Sequence, residues 1–246
     1  MPDAVWPRKA RRTTTPLPHN PVEDLSFVMV LFSRRAAQSN AERNLGEGMP
    51  EVIKPLWVVL GLANPGSQYA GTRHNVGAEA VQEIADERDL SLKSEKGIAA
   101  TVASYEDSQK KVVLARSNTY MNESGLAARD LKKRYRLYDL SHLIVLHDEL
   151  DLEPGTVRIK LSGGTAGHNG LKSIQSCLGS ADFTRVRIGI GKPSHNRSGA
   201  NHVLGRPNSK EREILDVSLQ VAASAVVWIT EYGIESAMNK YNSRQM

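Results

Sequence analysis

Leu56 to Leu62 read LWVVLGL, seven residues with no polar side chain, and the run stops at Asn64-Pro65-Gly66. A strand with one face in water would alternate apolar and polar residues. A continuous run bounded by turn residues is the pattern of a strand covered on both faces. Such a strand needs helices above and below it. Similar runs recur at KVVLAR (111–116), LIVLHD (143–148), TVRIKL (156–161) and RVRIGIG (185–191), so at least five strands are expected. Between them the period changes from continuous to helical. NVGAEAVQEIADERD puts Val76, Ala80, Val81, Ile84 and Ala85 on one face. SGLAARDLKKRYRL does the same with Leu126, Ala127, Leu131 and Tyr135, and NGLKSIQSCLG with Leu171, Ile174 and Leu178, stopping at Gly179. A long C-terminal pattern has Asn208 as its N-cap, Glu211 at the third helical position and Gly233 at its stop. ASYEDSQKKVVLA reads as a hairpin. Strands alternating with helices, plus a hairpin, predict a three-layer α/β/α single domain with a mixed, mostly parallel central sheet.

The domain is expected over 51–246. Residues 1–50 hold six of the eleven prolines and a TTTPLPHNP tract without sustained period, and they read as a disordered extension. A translation start at Met49 would remove nearly all of it. Within it, LSFVMVLF follows Arg8, Lys9, Arg11 and Arg12 but is short and lacks a small-residue cleavage motif, so no signal peptide is expected. No uninterrupted apolar run approaches the roughly 18 residues of a membrane span. Cys177 is the only cysteine, which excludes an internal disulfide and a cysteine-rich zinc site and suits the cytoplasm.

Charge is unevenly distributed. From Pro154 to Lys210 nine Lys or Arg face a single acid, Asp182, a net +8 inside a chain of net +5, so the rest carries −3. A basic segment in an otherwise acidic chain points to a polyanion, nucleic acid first.

In open α/β sheets ligands bind beyond the carboxyl ends of strands. Four apolar runs here are followed by amides, histidines and carboxylates: Asn64, Tyr69 and His74; then Tyr120, Met121 and Asn122; then His147, Asp148, Glu149 and Asp151; then His168 and Asn169 after a glycine-rich loop. The expectation is that four strand ends converge on one site. No Gly-x-Ser-x-Gly elbow occurs and Cys177 lies on a helix stripe, which argues against a Ser or Cys nucleophile. No dinucleotide or phosphate-loop glycine motif is present, so no cofactor is expected. A histidine at a helix start is disfavoured as imidazolium, which suits His74 as a general base, with Asp148 fixing its tautomer. Asn64, Asn122 and Asn169 are neutral donors for a carbonyl and its oxyanion. His147 and Glu149 read as structural. A divalent metal is the main competing reading, but His147 and Asp148 point to opposite sides of a strand and no His-x-x-x-His spacing occurs. No metal site is expected.

GLANPGSQYAGTRHNVG, NTYMNESG, LIVLHDELDLEPGTVRIKLSGGTAGHNGLKSI and FTRVRIGIGKP, in this order from about Leu56 onward, resemble the bacterial-type peptidyl-tRNA hydrolases. The resemblance implies an esterase that cleaves the bond between a nascent peptide and the terminal ribose of tRNA, recycling peptidyl-tRNA without metal or cofactor. By this resemblance His74 is the base, Asp148 its orienter and Asn64 the amide that recognises the blocked aminoacyl group. Tyr69, Tyr120, Met121, Asn122, His168 and Asn169 line the substrate site, while Lys160 and Arg187 grip phosphate at the acceptor end. A cytoplasmic monomer with peptidyl-tRNA as its partner and no membrane association is expected. A non-catalytic RNA-binding relative and a metal-dependent phosphoesterase are the alternatives. Where relatives often carry glycine in the loop before His168, this chain has Ser162 and Ala166, which stiffen it.

Overall fold

The computed structural model describes residues 54–193 and 198–243, and the extension expected over 1–50 lies outside them. From Lys54 onward the described residues belong to one unit. Its strands are β1 (Leu56–Gly61), β2 (Lys93–Ser94), β3 (Ala100–Glu106), β4 (Lys111–Ser117), β5 (Leu143–Glu149), β6 (Val157–Leu161) and β7 (Thr184–Gly189). The helices are α1 (Val76–Asp86), α2 (Ser124–Tyr135), α3 (Asn169–Leu178), α4 (Gly199–Val203), α5 (Ser209–Tyr232) and α6 (Ile234–Asn242). All five expected strands are present. The hairpin is β3–β4 and the four helical patterns are α1, α2, α3 and α5. Strand β2 and helices α4 and α6 were not foreseen.

The sheet order is β2-β3-β4-β1-β5-β7-β6. The central four strands, β4, β1, β5 and β7, are parallel, while β3 and β6 pair antiparallel with their neighbours. Along β1 the side chains divide strictly by parity, which is why the run has no polar side. Trp57 and Val59 enter a core with α1, α5 and α6, whereas Val58 and Leu60 enter a second core with α2 and α3. Asn208 caps α5 by accepting from the Glu211 N–H, and Gly179 ends α3 in the left-handed conformation. Helix α5 is long and apolar enough to cross a membrane by length and composition alone. Here Leu215, Leu219, Ala222, Val226 and Ile229 spend that apolarity on the first core.

The antiparallel direction of β6 corrects one expectation. Leu161, at its carboxyl end, pairs with Thr184, and Thr184 is level with Ile144 near the start of β5. The chain therefore leaves β6 at the amino edge of the parallel strands. Three strand ends, β1, β4 and β5, deliver site residues directly. The segment 162–167 must climb back along the sheet before α3 can present His168 and Asn169.

Two glycines bring α1 down onto the sheet. A Cβ on Gly77 would overlap the carbonyl of Leu146 on β5, and one on Gly61 would overlap the carbonyl of Gly77. Both obstacles are backbone and cannot rotate away. Gly77→Ala is therefore expected to lower unfolding stability by about 2–3 kcal/mol, read as a lower urea midpoint at unchanged m-value. An unaltered midpoint would mean that this close approach is not required.

Candidate active site

The turn Arg73–Asn75 immediately precedes α1 and puts His74 beside the end of β5. His74 Nδ1 lies 2.8 Å from Asp148 Oδ1. His168 Nε2 lies 3.0 Å from the same oxygen, and the His74 and His168 ring centroids are 5.1 Å apart. Asp148 is buried. Burial by itself would raise its pKa, but the two imidazoles, His168 foremost, hold the carboxyl well below the usual range. An ionised carboxylate only accepts hydrogen bonds, so both ring nitrogens facing it carry protons. The His168 ring is pinned from its other side, because Nδ1 accepts from the N–H groups of Gly170 and Leu171 at 3.1 and 3.3 Å. This makes His168 the N-cap of α3. In His74, donation from Nδ1 to Asp148 puts the lone pair of the neutral ring on Nε2.

Asn64 is fixed on the opposite side. Its side-chain oxygen accepts from the Met121 N–H at 2.8 Å, which turns its NH2 group into the available donor. Its backbone is held by Asn75, whose side chain accepts from Asn64 N at 2.9 Å and donates to Asn64 O at 3.0 Å. Met121 is buried, and a Cβ on Gly170 would run into its sulfur, so Met121 links Asn64, which its N–H holds, to the start of α3. Asn122 and Asn169 are exposed. Tyr120 is exposed too and meets Tyr69 edge-on at 6.4 Å between ring centroids.

The two basic residues stand apart from the His74–Asp148–His168 cluster. Arg187 donates from Nε to Glu149 Oε2 at 3.0 Å. Lys160 is exposed on β6, one diagonal step from Arg187 on the same face of the sheet. Most described cations of the +8 segment are engaged by other parts of the protein. Arg158 donates to the Tyr241 carbonyl, Arg206 to the Ala70 carbonyl, and Lys192 pairs with Asp151. Among its described cations, only Lys160, Lys172 and Lys210 have no ion-pair or hydrogen-bond partner among the described residues.

The supporting roles of two arginines were not read from the sequence. Arg73 is buried, forms a two-pronged ion pair with Glu211 at the start of α5 and donates to the carbonyls of His202 and Gly205. It thereby anchors the turn that carries His74. Arg185 is buried, lies over the Phe183 ring and donates to the carbonyls of Gly163 and Gly164, each at 2.6 Å. It holds the climbing segment against β7. In that segment Ser162 and Ala166 take φ values of 65° and 46°, the region that favours glycine. Glycine's absence there leaves both turns strained. A basic residue within an apolar run, such as Arg185 in RVRIGIG, is the sequence signal that could have marked one of these anchors.

His74, Asp148 and His168 are also the described groups that could hold a metal ion, with one ligand atom each within 4.8 Å of the others. Their nitrogens facing Asp148 serve as N–H donors. A divalent ion would have to displace both protons and leave His168 Nδ1 engaged with the backbone of α3.

The three-layer fold, with a His–Asp–His cluster and the oriented Asn64 amide at the carboxyl edge of its sheet, defines an α/β enzyme. Residues 58–246 match the family model described as peptidyl-tRNA hydrolase. The chain is 41% identical over 201 residues to the peptidyl-tRNA hydrolase of Cutibacterium acnes, covering 78% of this chain and all of the relative. It is 44% identical over 182 residues to that of Mycolicibacterium vanbaalenii, covering 74% and 94%. The crystal structure of the peptidyl-tRNA hydrolase from Acinetobacter baumannii superposes with a TM-score of 0.72 at 35% identity, covering 77% of this chain and 96% of that one. The chain belongs to the peptidyl-tRNA hydrolase family.

His147 shows what the site costs in stability. Its Nδ1 donates to the Asp148 carbonyl, while its buried Nε2 has no hydrogen-bond partner. Burial pushes its pKa down to about 3. Below about pH 6.5 the unfolded chain therefore takes up a proton that the folded chain refuses, so stability falls as pH drops from about 6.5 towards 3. His147→Asn, whose amide can reproduce the Nδ1 donor, should flatten this fall by roughly 2 kcal/mol at pH 5. Urea titrations at pH 7 and pH 5 check this, and identical pH dependence in the two proteins would exclude His147 as the cause.

Proposed function

We propose that this protein, like its family, hydrolyses peptidyl-tRNA, with His74 as the general base. His74 Nε2 takes a proton from water, and the resulting hydroxide oxygen attacks the ester carbonyl carbon. Asp148 steadies the imidazolium that forms. The tetrahedral oxyanion collapses, the bond between the carbonyl carbon and the ribose oxygen breaks, and His74 returns its proton to that oxygen. The products are the free peptide and a tRNA with its terminal hydroxyl restored. The observation that carries this reading is the 2.8 Å contact from His74 Nδ1 to an ionised Asp148, which leaves the lone pair on Nε2.

The Asn64 NH2 donates to the carbonyl that the peptide's blocked amino group presents, and Asn122 and Asn169 orient the ester carbonyl and its oxyanion. Tyr69, Tyr120 and Met121 wall the acceptor end, and His168 acts through Asp148 while standing beside the substrate. Lys160 meets phosphate with its free ammonium, and Arg187 adds to it from its ion pair with Glu149. The enzyme acts as a cytoplasmic monomer, and it engages the acceptor end of its substrate.

Release of N-acetylamino acid from N-acetyl-aminoacyl-tRNA tests the assignment. His74→Ala should lower kcat by about 10²–10⁴-fold, while wild-type turnover persists in EDTA. Full turnover in His74→Ala would overturn the base assignment, and loss of wild-type activity in EDTA would favour a metal at the His–Asp–His cluster.

A further inference from the structure

A cluster of unpaired positive charge on the described surface lies outside the basic segment 154–210. The last two turns of α2 and the residue after it hold Arg129, Lys132, Lys133, Arg134 and Arg136 against one acid, Asp130. Arg129 and Arg134 are paired, with Asp130 and Glu95. Lys132, Lys133 and Arg136 have no ion-pair partner among the described residues, and Lys133 and Arg136 are exposed. Together with Arg129, Tyr138 and Cys177 they line a concavity of about 340 Å³ between the ends of α2 and α3. None of the residues lining it is acidic. Tyr138 is 86% exposed, an aromatic face that has been left in water.

Cations at the end of α2 offset the negative end of its dipole, and that accounts for some of this charge. It accounts neither for the concave shape nor for the open tyrosine. The position of the patch supplies the rest of the argument. Helix α2 starts two residues after Asn122 and α3 starts at Asn169, so both helices run from the candidate active site to this concavity. Twelve residues of α2 span about 18 Å. A substrate whose single-stranded end enters the site continues outward as a duplex, and its phosphates pass at such distances. Lys172, exposed in the first turn of α3, is a cation along the same helix.

We infer that the concavity at the ends of α2 and α3 is a second RNA-binding surface, in which Lys132, Lys133 and Arg136 hold the phosphate backbone of the tRNA's double-stranded arm while its end occupies the site. The inference rests on the peptidyl-tRNA reading above. Its contacts are to phosphate, so it contributes affinity and salt dependence without base preference. Duplex RNA is gripped in this way, by backbone and shape.

The test compares two substrates, full-length N-acetyl-aminoacyl-tRNA and the same N-acetyl-aminoacyl ester on a CCA trinucleotide. In Lys132→Gln/Lys133→Gln/Arg136→Gln, KM for the full-length substrate should rise about tenfold or more at low salt. The slope of log KM against log salt should shrink by roughly two to three. Turnover at saturation and kcat/KM for the trinucleotide ester should stay at wild-type values. A purely structural role would lower the thermal midpoint without touching the salt slope. Single variants Lys133→Gln and Arg136→Gln, each removing about one unit of slope, carry the test if the triple variant does not fold. Unchanged KM and slope on the full-length substrate, or equal losses on both substrates, would overturn the inference. Failure of the wild-type protein to cleave either substrate would instead refute the peptidyl-tRNA reading itself.

Discussion

One oxygen atom organises the site. Asp148 Oδ1 accepts from His74 at 2.8 Å and from His168 at 3.0 Å, so a single buried charge sets the protonation of two rings on opposite sides of the sheet's edge. A buried carboxylate with a single donor would lean towards protonation, because burial opposes its charge. Two convergent donors reverse that. The consequence is directional: His168 spends its Nδ1 lone pair on the backbone of α3, whereas His74 keeps a lone pair on Nε2. Chemically similar residues thus acquire different roles from their surroundings.

The fold holds this arrangement by four attachments. Gly61 and Gly77 let α1 approach the sheet closely enough for His74 to reach β5. The Arg73–Glu211 ion pair ties the His74 turn to α5, and Asn75 locks the Asn64 backbone from the same turn. On the other side Arg185 restrains the segment that climbs from β6 to α3. That segment carries strain at Ser162 and Ala166, which is tolerated because Arg185 and the α3 cap over-determine its path.

Much of this was legible in the sequence, for physical reasons that also mark where legibility stops. A strand buried on both faces leaves an unbroken apolar run, and an amphipathic helix leaves a stripe, so β1, β4, β5, β7 and the four main helices could be read locally. The His74–Asp148 pair followed from placing polar residues at strand ends. Strand direction is different, since it depends on partners far along the chain. TVRIKL looks the same whether it runs parallel or antiparallel, and the expectation of a fourth direct strand end failed there. Two-residue β2 and five-residue α4 are too short to show a period. The fate of each cation was likewise invisible. Arg158, Arg185, Arg187 and Arg206 contribute to a formal +8, yet their guanidinium groups are engaged by the protein itself. Free charge survives on Lys160, Lys172 and Lys210, and also on α2, where Lys132 and Lys133 read as the ordinary polar face of an amphipathic helix.

The most direct measurement is the tautomeric state of the histidines, from long-range ¹H–¹⁵N correlations of the imidazole nitrogens in the labelled protein at pH 7.5. The shared-carboxylate account predicts His74 protonated on Nδ1 and bare on Nε2, and His168 the reverse. Both signatures should collapse in Asp148→Ala. A His74 ring protonated on Nε2, or tautomers indifferent to the loss of Asp148, would contradict it.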